Sequence, residues 1–168
     1  MKSFRERLEN HDTVGELRDG DVRYMMIRPD ALMGMFKRLP EDERRHALKA
    51  LAESLIEAGV NSSKRYQALG ANTSEKLLKT IVATAGQLGW GSFDFDAEFA
   101  KQGKMSLSVA NSPFVAGFGR CTHPVCAPIV GMFTSISGLV LGKRTEVQEV
   151  SCASVTGTAH CLFEAKIR

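Results

Sequence analysis

The chain has 168 residues, 43% hydrophobic and 24% charged, the proportions of a folded globular protein and not of a disordered one. Its 22 Lys and Arg exceed its 19 Asp and Glu by only three, and the surplus is dispersed, which speaks against the basic stripe of a nucleic-acid module. Four cysteines are too few for a disulfide scaffold, and the polar opening Met1–Arg7 lacks the apolar run of a signal peptide; a cytoplasmic protein is expected.

In chain order, Asp19-Gly20 reads as a hairpin turn between Val14–Arg18 and Val22–Arg28, because Gly tolerates the positive φ required there. Pro29-Asp30 opens a short helix through Leu32, Met35, Phe36 and Leu39. Pro40 starts the next, with Glu41, Asp42 and Glu43 in the first turn where the macrodipole favours acids. Its apolar residues Leu48, Leu51, Ala52, Leu55 and Ile56 fall at helical spacing, and Gly59 is read as its stop. A third helix follows Thr73-Ser74-Glu75, buries Leu77, Ile81 and Ala85, and ends at Gly89.

After Trp90 the period changes. Phe93, Phe95, Ala97 and Phe99 alternate with polar residues, as do Met105, Leu107 and Val109 beyond the Gln102-Gly103 turn, which predicts an antiparallel hairpin. From Cys121 to Gly142 there is no Asp, Glu, Lys or Arg. The clean apolar run, Ile129–Leu141, is nevertheless too short to span a bilayer and predicts a buried helix instead. Two strands then flank a turn at Thr156-Gly157, the last with Cys161, Phe163, Ala165 and Ile167 on one face. The expected class is α+β: an N-terminal helical layer packed on an antiparallel sheet with one inserted helix.

Nucleotide-loop and nucleophile-elbow motifs are missing. The chemistry lies instead in C-x(22)-E-x(2)-C-x(8)-C, formed by Cys126, Glu149, Cys152 and Cys161. Cys126 precedes Ala127-Pro128, so it should sit at a helix N-terminus, which lowers a thiol pKa. Glu149 and Cys152 would lie on opposite faces of a flat strand, but the apolar phase slips near Gln148–Glu149, and a β-bulge there would bring them together. Hairpin pairing would then set Cys161 beside Cys152. Three thiolates and a carboxylate form a tetrahedral zinc set. Against this, free cysteines are often buried simply as small hydrophobes. Cys121, His123 and His160 are spare ligand candidates, and Cys121 with Cys126 is an alternative redox pair.

The segment from Cys126 through Gly131, Gly138, Glu149, Cys152, Gly157, His160-Cys161 and Phe163 resembles the 4-vinyl-reductase-type, hydrocarbon-binding domain. The stretch Tyr24–Leu32 resembles that family's N-terminal half less specifically. The family belongs to a ligand-binding superfamily of nitric-oxide signalling and Golgi transport and is structurally akin to subunits of the TRAPP tethering complex. It also supplies the sensors of aromatic-responsive transcription activators. In its zinc-binding members the ligands match Cys126, Glu149, Cys152 and Cys161 one by one, although the gap from Cys152 to Cys161 is one residue longer here. A longer turn at Val155-Thr156-Gly157 would absorb the difference.

The resemblance implies residues 1–21 as an N-terminal extension with a hairpin and 22–168 as one ligand-binding domain. It implies a non-enzymatic sensor or accessory protein for a small apolar or aromatic molecule, carrying structural Zn2+. An enzyme or enzyme subunit in pigment or aromatic metabolism, or an assembly adaptor, is the alternative. Candidate pocket residues are Phe93, Phe95, Phe114, Met132, Phe133 and Val147. With no output module in the sequence, a protein partner is expected. Met25, Met26, Leu32, Met33, Met35 and Phe36 are more apolar side chains than one face can bury, which predicts a homodimer surface.

Overall fold

Helix signals at both ends of each segment set the helical layer. In the computed structural model, which describes residues 2–98 and 100–168, Pro29 opens α2 (Pro29–Lys37) and Pro40 precedes α3 (Glu41–Ala68). The Thr73 side chain caps α4 (Ser74–Leu88) by accepting from the Lys76 N–H at 3.3 Å, and Gly89 closes that helix at φ 77°. Gly59 does not stop α3, contrary to the sequence reading. A Cβ at Gly59 would strike the Ser135 side chain of α6 (Ala127–Leu141). The glycine is therefore where two helices approach closely, and burial outweighs its low helix propensity. Gly131 does the same from the other side, facing the Ala52 carbonyl.

The N-terminal segment is more structured than expected. A capping box between Ser3 and Glu6 starts a one-turn helix α1 (Phe4–Arg7). Next come β1 (Glu9–His11), β2 (Glu16–Asp19) and β3 (Val22–Tyr24), an antiparallel sheet in the order β1-β2-β3. Asp19 pairs with Val22 across the expected turn, with Gly20 at φ 59°.

The larger sheet has the order β4-β5-β7-β6, all antiparallel, from β4 (Ser92–Asp96), β5 (Lys104–Ala110), β6 (Thr145–Ser151) and β7 (His160–Ile167). Register sets Phe95 opposite Leu107, Leu107 opposite Phe163 and Val109 opposite Cys161, which collects the apolar face toward α6. Phe99, read as part of the first strand, lies outside the described residues. A short helix α5 (Pro113–Phe118), not expected from the sequence, follows β5. The final turn contains one helical turn, α7 (Ala153–Thr156), before Gly157 at φ 77°. That turn takes up the long gap from Cys152 to Cys161.

α6 packs against α3 on one side and the sheet on the other. It has no exposed residue, which explains its uncharged sequence. Among the described residues no helix is long and apolar enough to cross a membrane. The helical layer on an antiparallel sheet with an inserted helix is the α+β arrangement expected. Met33 and Phe36 must be corrected, however. They are fully buried in the main core, where the side chains from α2 pack, and cannot form a surface between copies.

Candidate functional site

Four elements deliver the four predicted ligands to one point. Cys126 is the N-cap of α6; its carbonyl accepts from Ile129 at 2.9 Å and its thiol is fully buried. Cys161 faces inward from β7, its Sγ 3.7 Å from that of Cys126. In β6, Glu149 pairs with Phe163 while Ser151 pairs with the adjacent Leu162, so Val150 is an extra residue. This bulge lies one position beyond the slip read from the sequence and carries Cys152 round to the side of Glu149. Donor atoms of Cys126, Glu149, Cys152 and Cys161 all fall within 4.8 Å of one another.

The surrounding hydrogen bonds favour anionic ligands. The Cys126 N–H donates to Glu149 Oε2 at 3.1 Å, and the Ala153 N–H donates to Cys161 Sγ at 3.3 Å. Glu149 Oε1 is buried without a partner, an arrangement that costs free energy unless something completes it.

Crowding of four acidic groups redistributes their protons. Hydrogen bonds from Cys126 and Cys161 hold the Cys152 thiol far below its ordinary range. The hydrogen bonds of Cys126 with Cys152 and Cys161, together with burial, push the Cys126 thiol far above it. A bond with Cys126 would lower Cys161, but its bond with Cys152 and its burial prevail and push it up to about 12. Burial, then the Cys152 charge, pushes Glu149 up to about 8. The helix N-terminus therefore does not lower Cys126 as expected; its acidic neighbours outweigh the helix. Such a cluster can ionise fully only around a cation, and its donor set, including the orphaned carboxylate oxygen, fits a metal ion.

The spare candidates stay outside this cluster. Cys121 donates to the His123 carbonyl at 2.9 Å, and His123 lies 3.1 Å from Glu41 at the surface. His160 is exposed, on the opposite face of β7 from Cys161.

A separate cavity of about 240 Å³ opens between α3, α4 and α6. None of the four clustered residues lines it, but α6 joins the two places: Cys126 caps its start, and Met132 and Ile136 form a cavity wall further along. Its lining carries no charged side chain. Polar groups come from hydroxyls: Ser62, Ser63, Tyr66, Thr84 and Ser135. Burial raises the Tyr66 phenol above its ordinary range, so it stays a protonated donor near neutral pH; the Thr84 hydroxyl is its hydrogen-bond neighbour.

Val22 and Tyr24 of β3 cover one side. The strand is anchored by Asp19, only 2% exposed, which accepts from Arg7 at 3.0 Å and from Arg65 of α3 at 2.8 Å. Of the residues predicted for a pocket, Phe93 and Met132 line this cavity, whereas Phe95, Phe114, Phe133 and Val147 pack in or against the main core. The hydroxyl residues were missed, and nothing in their sequence spacing marks them.

The vinyl-4-reductase (V-4-R) domain family matches residues 105–167, the segment that contains all four clustered residues. No functionally curated protein sequence matches the chain. Among solved structures, the phenol-responsive sensory domain of the transcription activator PoxR, bound to phenol, is similar with a TM-score of 0.78 and 19% identity. That match covers 97% of this chain and 86% of the other. A vinyl-4-reductase family protein from Methanocaldococcus jannaschii gives 0.53 and 17%, covering 85% and 96%. A trafficking protein particle complex subunit 3 from Naegleria fowleri, covalently bound to palmitic acid, gives 0.56 and 11%, covering 83% and 95%. At these identities the likeness is one of fold. The resemblance read from Cys126, Glu149, Cys152 and Cys161 therefore stands: residues 105–167 are a vinyl-4-reductase-type domain, within a fold shared with sensory and TRAPP-type subunits.

Proposed function

We propose that this protein binds a small, neutral apolar or aromatic molecule without transforming it, as a sensor or accessory subunit, and holds a structural zinc ion. The observation that carries the reading is the cavity between α3, α4 and α6, apolar, free of charge and walled on one side by the N-terminal hairpin. Pockets of this kind bury the body of a ligand against hydrocarbon and orient it with a few polar groups. Here Tyr66, Thr84 and the serines offer hydrogen bonds to a hydroxyl or carbonyl, and no cation is present to hold a carboxylate. The phenol-responsive fold relative supports the same ligand class.

Zinc would be held by Cys126, Glu149, Cys152 and Cys161, tying the start of α6 to the bulge in β6 and to β7. When bound, the ion supplies cross-linking and charge neutralisation. Three thiolates and a carboxylate fill a tetrahedral shell and leave no position for a substrate, which favours binding over catalysis.

The protein acts, in this reading, in the cytoplasm and through a protein partner. It forms a homodimer over Met25 and Met26, which are 80% and 91% exposed. Residues 22–168 form the binding domain, to which residues 1–21 contribute the other strands of the hairpin sheet. Thermal shift with neutral indole and naphthol, against the carboxylates indole-acetate and benzoate, tests the ligand class. Neutral compounds should raise the Tm and the carboxylates should not. Equal stabilisation by both sets, or by neither, would reject it.

A further inference from the structure

Each of the three sulfurs in the cluster has one hydrogen-bond donor beside it from outside the cluster. The Ala153 N–H serves Cys161 at 3.3 Å, the Val125 backbone serves Cys152, and the Ser112 hydroxyl lies 3.4 Å from Cys126 Sγ. Two of these donors belong to the main chain. Ser112 alone acts through a side chain, and it is buried at 5% exposure.

Its position follows from the path of the chain. β5 ends at Ala110, and Asn111 then adopts φ 54°, a left-handed conformation that Asn tolerates better than most residues. The turn is confined from the β4 side: a Cβ on Gly91 would lie 2.5 Å from the Ala110 carbonyl. Ser112 is thereby directed back toward α6 as the N-cap of α5, where its Oγ accepts from the Val115 N–H at 3.5 Å. A hydroxyl that accepts at its oxygen keeps one O–H to give. Among the described residues, the Cys126 sulfur is the acceptor within reach.

We propose that Ser112 is a positioning residue of the metal centre, donating its O–H to Cys126 Sγ and so orienting that sulfur as a metal-bound thiolate. The inference rests on the zinc reading above. A bound thiolate retains lone pairs, and a donor at one of them spreads its charge and fixes its direction without competing for the metal.

The test uses the full chain with zinc or cobalt(II) as the probe, measuring zinc affinity by competition with a chelator and the thiolate-to-cobalt absorption band. Glycine is an acceptable N-cap, so Ser112→Gly removes the hydroxyl while sparing the start of α5. Ser112→Thr restores the hydroxyl. Zinc affinity should fall about 10–100-fold in Ser112→Gly, its cobalt band should shift, and Ser112→Thr should stay near the wild type on both readouts. A wild type that binds metal while Ser112→Gly keeps the same affinity and band overturns the role of Ser112 alone. A wild type that binds neither ion overturns the zinc reading and this inference with it.

Discussion

The four-residue cluster and the apolar cavity lie along one helix, yet they are opposite kinds of site. The cluster gathers acidic groups that cannot all ionise in a buried place, and it is incomplete without a cation. The cavity gathers hydrocarbon and hydroxyls that are individually comfortable in a protein interior. One is specified by chemistry, the other by shape. A change that abolishes the first should therefore unfold the chain, whereas a change that fills the second should leave the chain folded and silent.

The largest effect is expected at the cluster. Cys152→Ser removes a thiolate ligand and should forfeit zinc together with much of the fold, since structural zinc contributes on the order of 10 kcal/mol to the folded state. Circular dichroism with metal analysis would show it; a metal-free variant with the wild-type melting temperature would break the distinction between the two sites.

The anchor of the cavity wall comes next. Asp19→Asn leaves Arg7 and Arg65 with no carboxylate in a poorly solvated place. Loss of about 2–3 kcal/mol is expected, at the low end for a broken buried pair because Arg65 is partly exposed. Denaturant unfolding measures it, and zinc content should not change.

Gly131→Ala acts on the helix that both sites share. Its added methyl would press on the Ala52 carbonyl and part α6 from α3 at a cost of about 2 kcal/mol. A variant as stable as the wild type would show that this close approach is not required.

Smallest in stability, and most informative about the cavity, is Ala85→Leu. Ala85 lines the empty space, so the extra carbons have room, and a change of less than about 1 kcal/mol is expected. Ligand-induced thermal stabilisation should vanish in the same variant. Undiminished binding would place the ligand elsewhere, for instance nearer Phe95 and Val147.

The same contrast explains what the sequence revealed. Cys126, Glu149, Cys152 and Cys161 are rare residue types, and a phase slip in β6 betrayed the bulge that unites them. Helix ends at Pro29 and Gly89, and the strand faces through Phe93, Leu107 and Phe163, followed from turn chemistry and period. Gly59 misled because a glycine that ends a helix and one that admits a neighbouring helix look alike until the neighbour is known. The Met-rich early segment misled for a related reason: Met33 and Phe36 are covered by elements far away in sequence. The hydroxyls of Ser63, Tyr66 and Thr84 have no local signal at all, because what makes them a lining is the gap between α3 and α4 opposite α6.

Native mass spectrometry of the purified full chain tests the central claim most directly. The expected spectrum shows each chain with one zinc, and a neutral apolar adduct that Ala85→Leu loses while its zinc remains. A bare chain mass, with no metal retained and the same melting temperature before and after chelator, would contradict the account.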